Sequence, residues 1–168
     1  FSDLIDYVRP SDQLFRNAAR VLPARIFACR PTGGRVECLL LRPDSSQAET
    51  NCEDWWCLLK PGRKLPVGST FALEGAFSAT VAEKNEQAEY RVRFELPQGA
   101  SVARIAESLG KMPLPPYIER EREDNRDRAD KDRYQTIYAH SEKAVAAAAP
   151  TAGLHFTEEH TRSIEATG

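Results

Sequence analysis

Between residues 24 and 96, apolar side chains come in short runs separated by turn residues, the pattern of antiparallel strands rather than helices. The plainest run is Tyr90, Val92, Phe94 and Leu96, which alternates with Arg91, Arg93 and Glu95 and so predicts a strand with one wet face. Residues 24–29 lead into Pro31, Thr32, Gly33 and Gly34, and residues 36–41 return. The two glycines supply the positive φ of a tight hairpin. Residues 55–60 predict a further strand, stopped by Pro61 and Gly62, and residues 70–73 and 77–83 flank Glu74 and Gly75. The polar stretch 43–54 reads as a loop. Five or six strands with no helix between them favour a sheet closed on itself, or a sandwich, over a parallel sheet.

Outside this region the period lengthens. Ser2 and Asp3 open a short capped helix with Leu4, Ile5 and Val8 on one face, ended by Pro10. Ser101 caps a helix through Leu109, with Val102, Ile105, Ala106 and Leu109 at helical spacing and Gly110 placed to end it. Pro113, Pro115 and Pro116 hold the next segment extended. The mixed charges of residues 119–133 read as a solvated face, and Tyr134, Ile137 and Tyr138 share one helical stripe. Thr157, followed by Glu158 and Glu159, begins a final helix, since threonine caps well and early acids suit the dipole.

A chain of 168 residues with 41% hydrophobic content can build one large domain or two small ones. It has no uninterrupted apolar run of about 18 residues, so no membrane span is expected and the cytoplasm is the default. Four cysteines without a CxxC pair or a histidine at ligand spacing predict reduced structural thiols and no metal. The net charge of −2 conceals an uneven distribution. Arg16, Arg20, Arg25, Arg30, Arg35 and Arg42 face a single acid, Glu37, within one stretch. Such a stretch can meet phosphates, or form ordinary polar strand faces.

Candidate chemistry concentrates in residues 149–157, where Thr151, Gly153 and His155 stand immediately before a helix start. Main-chain N–H groups there can hold an anion, glycine admits a ligand to the backbone, and histidine can exchange protons near neutral pH. A histidine in this position also serves as a cap or a packed ring. Arg20 and Arg25 flank Val21–Ala24, and either guanidinium can grip a carboxylate or phosphate with two parallel bonds. Gly33 and Gly34 are explained by the hairpin. No GxGxxG or Walker loop is present. The residues alone therefore describe a two-part protein with a barrel-like module and a candidate anion or nucleotide site near His155.

Six blocks in order, RVLPARIF, TGGRVECLLLRP, WWCLLKPGRKLPVG, LGKMPLPPYI, DRYQTIYA and APTAGLHFTEE, resemble the S-adenosylmethionine:tRNA ribosyltransferase-isomerase family of queuosine biosynthesis. Members of that family are longer than this chain, which resembles a portion of one. The resemblance implies an α/β (α+β) domain, discontinuous in sequence (residues 1–23 and 99–168), with an inserted antiparallel β-barrel domain (residues 24–98). It implies transfer and isomerisation of the ribosyl group of S-adenosylmethionine onto 7-aminomethyl-7-deazaguanine at the wobble position of a tRNA with a GUN anticodon. The products would be epoxyqueuosine, adenine and methionine, and the expected enzyme is a cytoplasmic monomer without metal.

By the same resemblance, His155 and Thr151 are catalytic candidates, and Gly153, Pro150, Arg20 and Arg133 are candidates for holding S-adenosylmethionine. Departures from the family pattern are Ala18 and Ala19, where polar residues are expected, and the alanines of residues 144–149. Two other readings compete: a barrel that binds tRNA without chemistry, and an S-adenosylmethionine methyltransferase. The second lacks a glycine-rich strand-to-helix loop.

Overall fold

The structure, a computed structural model, describes residues 1–114, 131, 133–146 and 151–166. Among the described residues the strands are β1 (Ala19–Val21), β2 (Arg25–Cys29), β3 (Arg35–Glu49), β4 (Cys52–Lys60), β5 (Thr70–Leu73), β6 (Phe77–Lys84), β7 (Tyr90–Glu95) and β8 (His140–Ala146). After the barrel region the described residues include the α-helices α1 (Val102–Leu109) and α2 (Glu158–Glu165). Strands β2 to β7 form a closed antiparallel barrel in the order β2-β3-β4-β7-β6-β5. Closure is one of the two arrangements the sequence pattern favours, because its strands carry one apolar face and no intervening helix could cover it.

Alternate residues point inward along each strand: Ile26 and Ala28, then Val36, Cys38 and Leu40, then Trp55, Cys57 and Leu59, with Tyr90, Val92 and Phe94 on β7. Phe77 meets Phe94 and Phe71 edge-on, at 5.2 and 6.3 Å between ring centroids. Each large apolar side chain so buried stabilises the fold by about 1.5–3 kcal/mol. Helix α1 covers the barrel with Val102, Ile105 and Ala106. Its cap is the expected one, the Ser101 hydroxyl accepting from the Arg104 N–H at 3.2 Å. Gly110 ends the helix in an extended conformation, φ −77° and ψ 159°. Its value is room rather than positive φ, since a Cβ there would strike the Pro23 carbonyl.

Several expectations are corrected. Residues 43–54 are not a loop: β3 continues to Glu49 and β4 begins at Cys52, with Pro43 opposite Trp55 and Asp44 opposite Asp54. A ladder is made of backbone groups, so polar side chains do not forbid it. The Asp54 carboxylate, only 3% exposed, accepts hydrogen bonds from Arg91 at 3.2 Å and from Arg93 at 2.9 Å. Asn51 makes the turn at φ 66°, a left-handed conformation that asparagine tolerates. The N-terminal helix is a 3-10 turn, Ser2–Asp6, without a side-chain cap. Tyr134, Ile137 and Tyr138 lie in turns rather than on a helical stripe, and Ile137 is exposed.

The parallel pair of β1 and β8 was not expected from the pattern. It lies beside a small second cluster in which Val21 and Met112 are buried against Leu114, Tyr134 and Leu154. The extended proline segment is present over Lys111–Leu114, where Lys111 and Arg25 exchange backbone hydrogen bonds of 2.9 and 3.1 Å. The rest of that segment and most of the mixed-charge run lie outside the described residues.

Candidate functional site around the His155 turn

Residues Thr151–His155 form a 3-10 turn that runs into α2. Thr157 caps α2 as expected, its hydroxyl accepting from the His160 N–H at 3.1 Å. Gly153 is buried, and a Cβ there would collide with the Tyr138 hydroxyl and come within 2.8 Å of Thr136 Cγ2. Glycine is therefore required by close approach. Leu154 packs against the second cluster. Gly153 and Leu154 thus pin the turn from below, leaving Thr151 and His155 exposed on top.

An aromatic ring stacks on the exposed imidazole, with further rings beyond it. Phe1 stacks on His155 with ring centroids 4.5 Å apart and 15° between planes, and meets Phe156 edge-on at 5.7 Å. Phe156 in turn meets Tyr138 at 6.4 Å, and the Arg16 guanidinium lies 4.9 Å from the Tyr138 ring centre. Thr136, whose Cγ2 faces Gly153, has a buried hydroxyl with no hydrogen-bond partner among the described residues. An exposed imidazole with a phenyl ring stacked on it suits contact with a planar heterocycle, and the nearby Arg16 guanidinium suits an anion.

The structure brings Thr151, Gly153 and His155 together and adds Phe1, Arg16, Thr136 and Tyr138. Arg20 lies on β1, where its guanidinium bonds Glu107 at 2.9 Å, and Arg133 is exposed. Among the described residues, no hydrogen bond, ion pair or ring contact links either arginine to the turn. Pro150 lies outside the described residues. The sequence carried no local signal for Tyr138 or Phe1, which reach the turn from distant positions. Arg16 was visible only as one member of the basic stretch.

Half of that basic stretch is neutralised internally. Besides Arg20, Arg25 pairs with Glu37 at 3.5 Å, and Arg42 donates two bonds to Glu89 at 2.7 and 3.1 Å. The Arg42 bonds, helped by the Asn85 amide, hold the Glu89 carboxyl below the usual range. Arg16, Arg30 and Arg35 have no carboxylate partner among the described residues. Nor is any group of three or more His, Cys, Asp or Glu placed to hold a metal ion among them. No helix among them is long and apolar enough to cross a membrane.

A family model described as queuosine biosynthesis protein matches residues 1–168. The chain belongs to the queuosine biosynthesis protein family. Curated relatives include an S-adenosylmethionine:tRNA ribosyltransferase-isomerase of Pelobacter propionicus, 44% identical over 160 residues, or 95% of this chain and 43% of the relative. One of the same name from Fusobacterium nucleatum is also 44% identical, over 95% of this chain and 41% of its own length. The chain therefore spans less than half the length of these queuosine biosynthesis relatives. A solved S-adenosylmethionine tRNA ribosyltransferase from Thermotoga maritima aligns with 100% of this chain and 41% of its own, at 23% identity and a TM-score of 0.41.

Proposed function

We propose that the protein carrying this chain is an S-adenosylmethionine:tRNA ribosyltransferase-isomerase. It transfers and isomerises the ribosyl group of S-adenosylmethionine onto 7-aminomethyl-7-deazaguanine at the wobble position of a tRNA with a GUN anticodon. Epoxyqueuosine, adenine and methionine are the products, and the protein acts as a cytoplasmic monomer without metal. The observation that carries this reading is the 44% identity, across 95% of the chain, to two curated relatives bearing that name. On this reading residues 1–23 and 99–168 belong to the catalytic domain, and residues 24–98 are the inserted barrel.

The chemistry sets what the site must supply. The sulfonium acidifies the neighbouring ribose C5′ position, where a base must remove a proton. Adenine needs a proton or a stabilised negative charge to leave, and the substrate amine must be neutral to attack. His155, exposed with Phe1 stacked on one face, serves one of these proton transfers. Thr151 and the Gly153 main chain position S-adenosylmethionine, and Pro150 of the same sequence block contributes to holding it. Arg20 and Arg133 meet its carboxylate or a tRNA phosphate, and Arg20 retains partial exposure beside Glu107 for that role.

Product analysis tests the reading. Incubation with S-adenosylmethionine and tRNA bearing the aminomethyl base is expected to release free adenine and methionine in step with tRNA modification. Adenosylhomocysteine as the product would replace this reading with a methyltransferase. Salt-sensitive tRNA binding without adenine would replace it with a binding module.

A further inference from the structure

The barrel is closed unevenly. Strand β2 pairs with β3 along its whole length, but meets β5 at a single register pair, Cys29 opposite Ala72. Along this sparsely paired seam there is a groove of about 780 Å³, lined by Cys29 and Ala72 among others and within the range of small-ligand sites. Its walls are largely apolar, with Phe27, Ala28, Phe71 and Leu73 contributing. Arg30 and Arg35, at the two ends of the TGG hairpin, also line it. These two arginines differ from Arg20, Arg25 and Arg42 in having no carboxylate partner among the described residues. Arg30 is held over Gly34, and its Nε is shielded from water without a hydrogen-bond partner among the described residues.

We propose that this groove takes an unstacked nucleotide of the tRNA, its base against the apolar wall and its phosphates on Arg30 and Arg35. The inference rests on the tRNA reading above and adds a contact surface to it. Two uncompensated guanidiniums beside an apolar slot complement an RNA single strand, which offers phosphates and an exposed π-face together. Glu74, also on the lining, confines the phosphates to the hairpin end. The groove lies at the end of β2 remote from Arg25 and its Lys111 bridge. It is thus a second point of attachment rather than part of the His155 turn.

The test measures tRNA affinity of the full protein against salt concentration for wild type, Arg30→Gln/Arg35→Gln, Arg35→Glu and Arg104→Glu. Arg35 stands exposed at the start of β3, so its reversal spares the hairpin packing that Arg30 supports; Arg104 is an exposed helix position outside the groove. The double variant is expected to bind about tenfold more weakly, with the slope of log K against log salt reduced by about 1.4, two single-strand phosphate contacts. Arg35→Glu should weaken binding clearly more than Arg104→Glu. Equal loss from both reversals would reduce the effect to net charge and overturn the groove. Unchanged affinity and slope in the groove variants would overturn it too, including the case in which an extended peptide occupies the open strand edges. Wild-type protein that binds no tRNA would instead sink the tRNA reading itself.

Discussion

The side-chain amide of Gln135 bonds both backbone groups of Val21, accepting from its N–H at 2.9 Å and donating to its C=O at 2.7 Å. One side chain thus does what a neighbouring strand would do, and fastens the segment before Thr136 and Tyr138 to β1. Replacing Gln135 with Leu leaves two partly buried backbone groups unpaired and is expected to cost about 2–4 kcal/mol in urea unfolding. Equal stability of Gln135→Leu and wild type would refute the staple.

Gly153→Ala tests the close approach at the turn. The added methyl meets the Tyr138 hydroxyl and Thr136 Cγ2, so Tyr138 must move or the turn must lift. A destabilisation of about 1–3 kcal/mol is expected, as for an overpacked core site. Tyr138→Phe in the same background should recover part of it, because the hydroxyl is the atom struck. Failure of that rescue would show that the turn is held by something else.

Acid should act at the Arg42–Glu89 pair. The Glu89 carboxyl titrates below its unfolded value because Arg42 donates to its charged form, with Asn85 adding a second bond. A depressed folded-state value means that the pair's stabilisation is present above the unfolded glutamate value of about 4.3 and is lost as pH falls through the folded one. In carboxyl NMR titrations, Arg42→Gln is expected to raise the Glu89 midpoint towards the ordinary range. A midpoint that does not move would contradict the assigned cause.

Thiol reactivity should follow burial. Cys29 is exposed, whereas Cys38 and Cys57 are buried in the barrel, and desolvation pushes the Cys57 thiol well above its usual range. Native-state alkylation near neutral pH, read by peptide mass spectrometry, should label Cys29 first and leave Cys38 and Cys57 unmodified until denaturant is added. Early labelling of Cys57 would mean that the barrel opens readily.

The barrel was legible because alternation is written locally: Tyr90, Val92 and Phe94 face inward whatever the rest of the chain does. The parallel pair was not. Strand β1 has three residues, and the alanines of β8 carry no strand preference, so only mutual pairing defines them. The extension of β3 through Pro43 and Asp44 was hidden by its polarity, which the arginines of β7 resolve from another strand. At the site, Thr151, Gly153 and His155 are neighbours in sequence and could be read together. Their surroundings could not, since Phe1, Arg16 and Tyr138 arrive through tertiary contacts, and the Glu107 that engages Arg20 is 87 residues away.

The exposed imidazole of the turn is the proposed seat of proton transfer, and the most direct measurement is tRNA-dependent adenine release by His155→Ala in the full protein. With folding verified by circular dichroism and tRNA affinity within a few fold of wild type, release is expected to fall by at least about a hundredfold, the scale of lost acid–base catalysis. Release within a few fold of wild type would remove His155 from the mechanism and contradict the placement of the reaction at this turn.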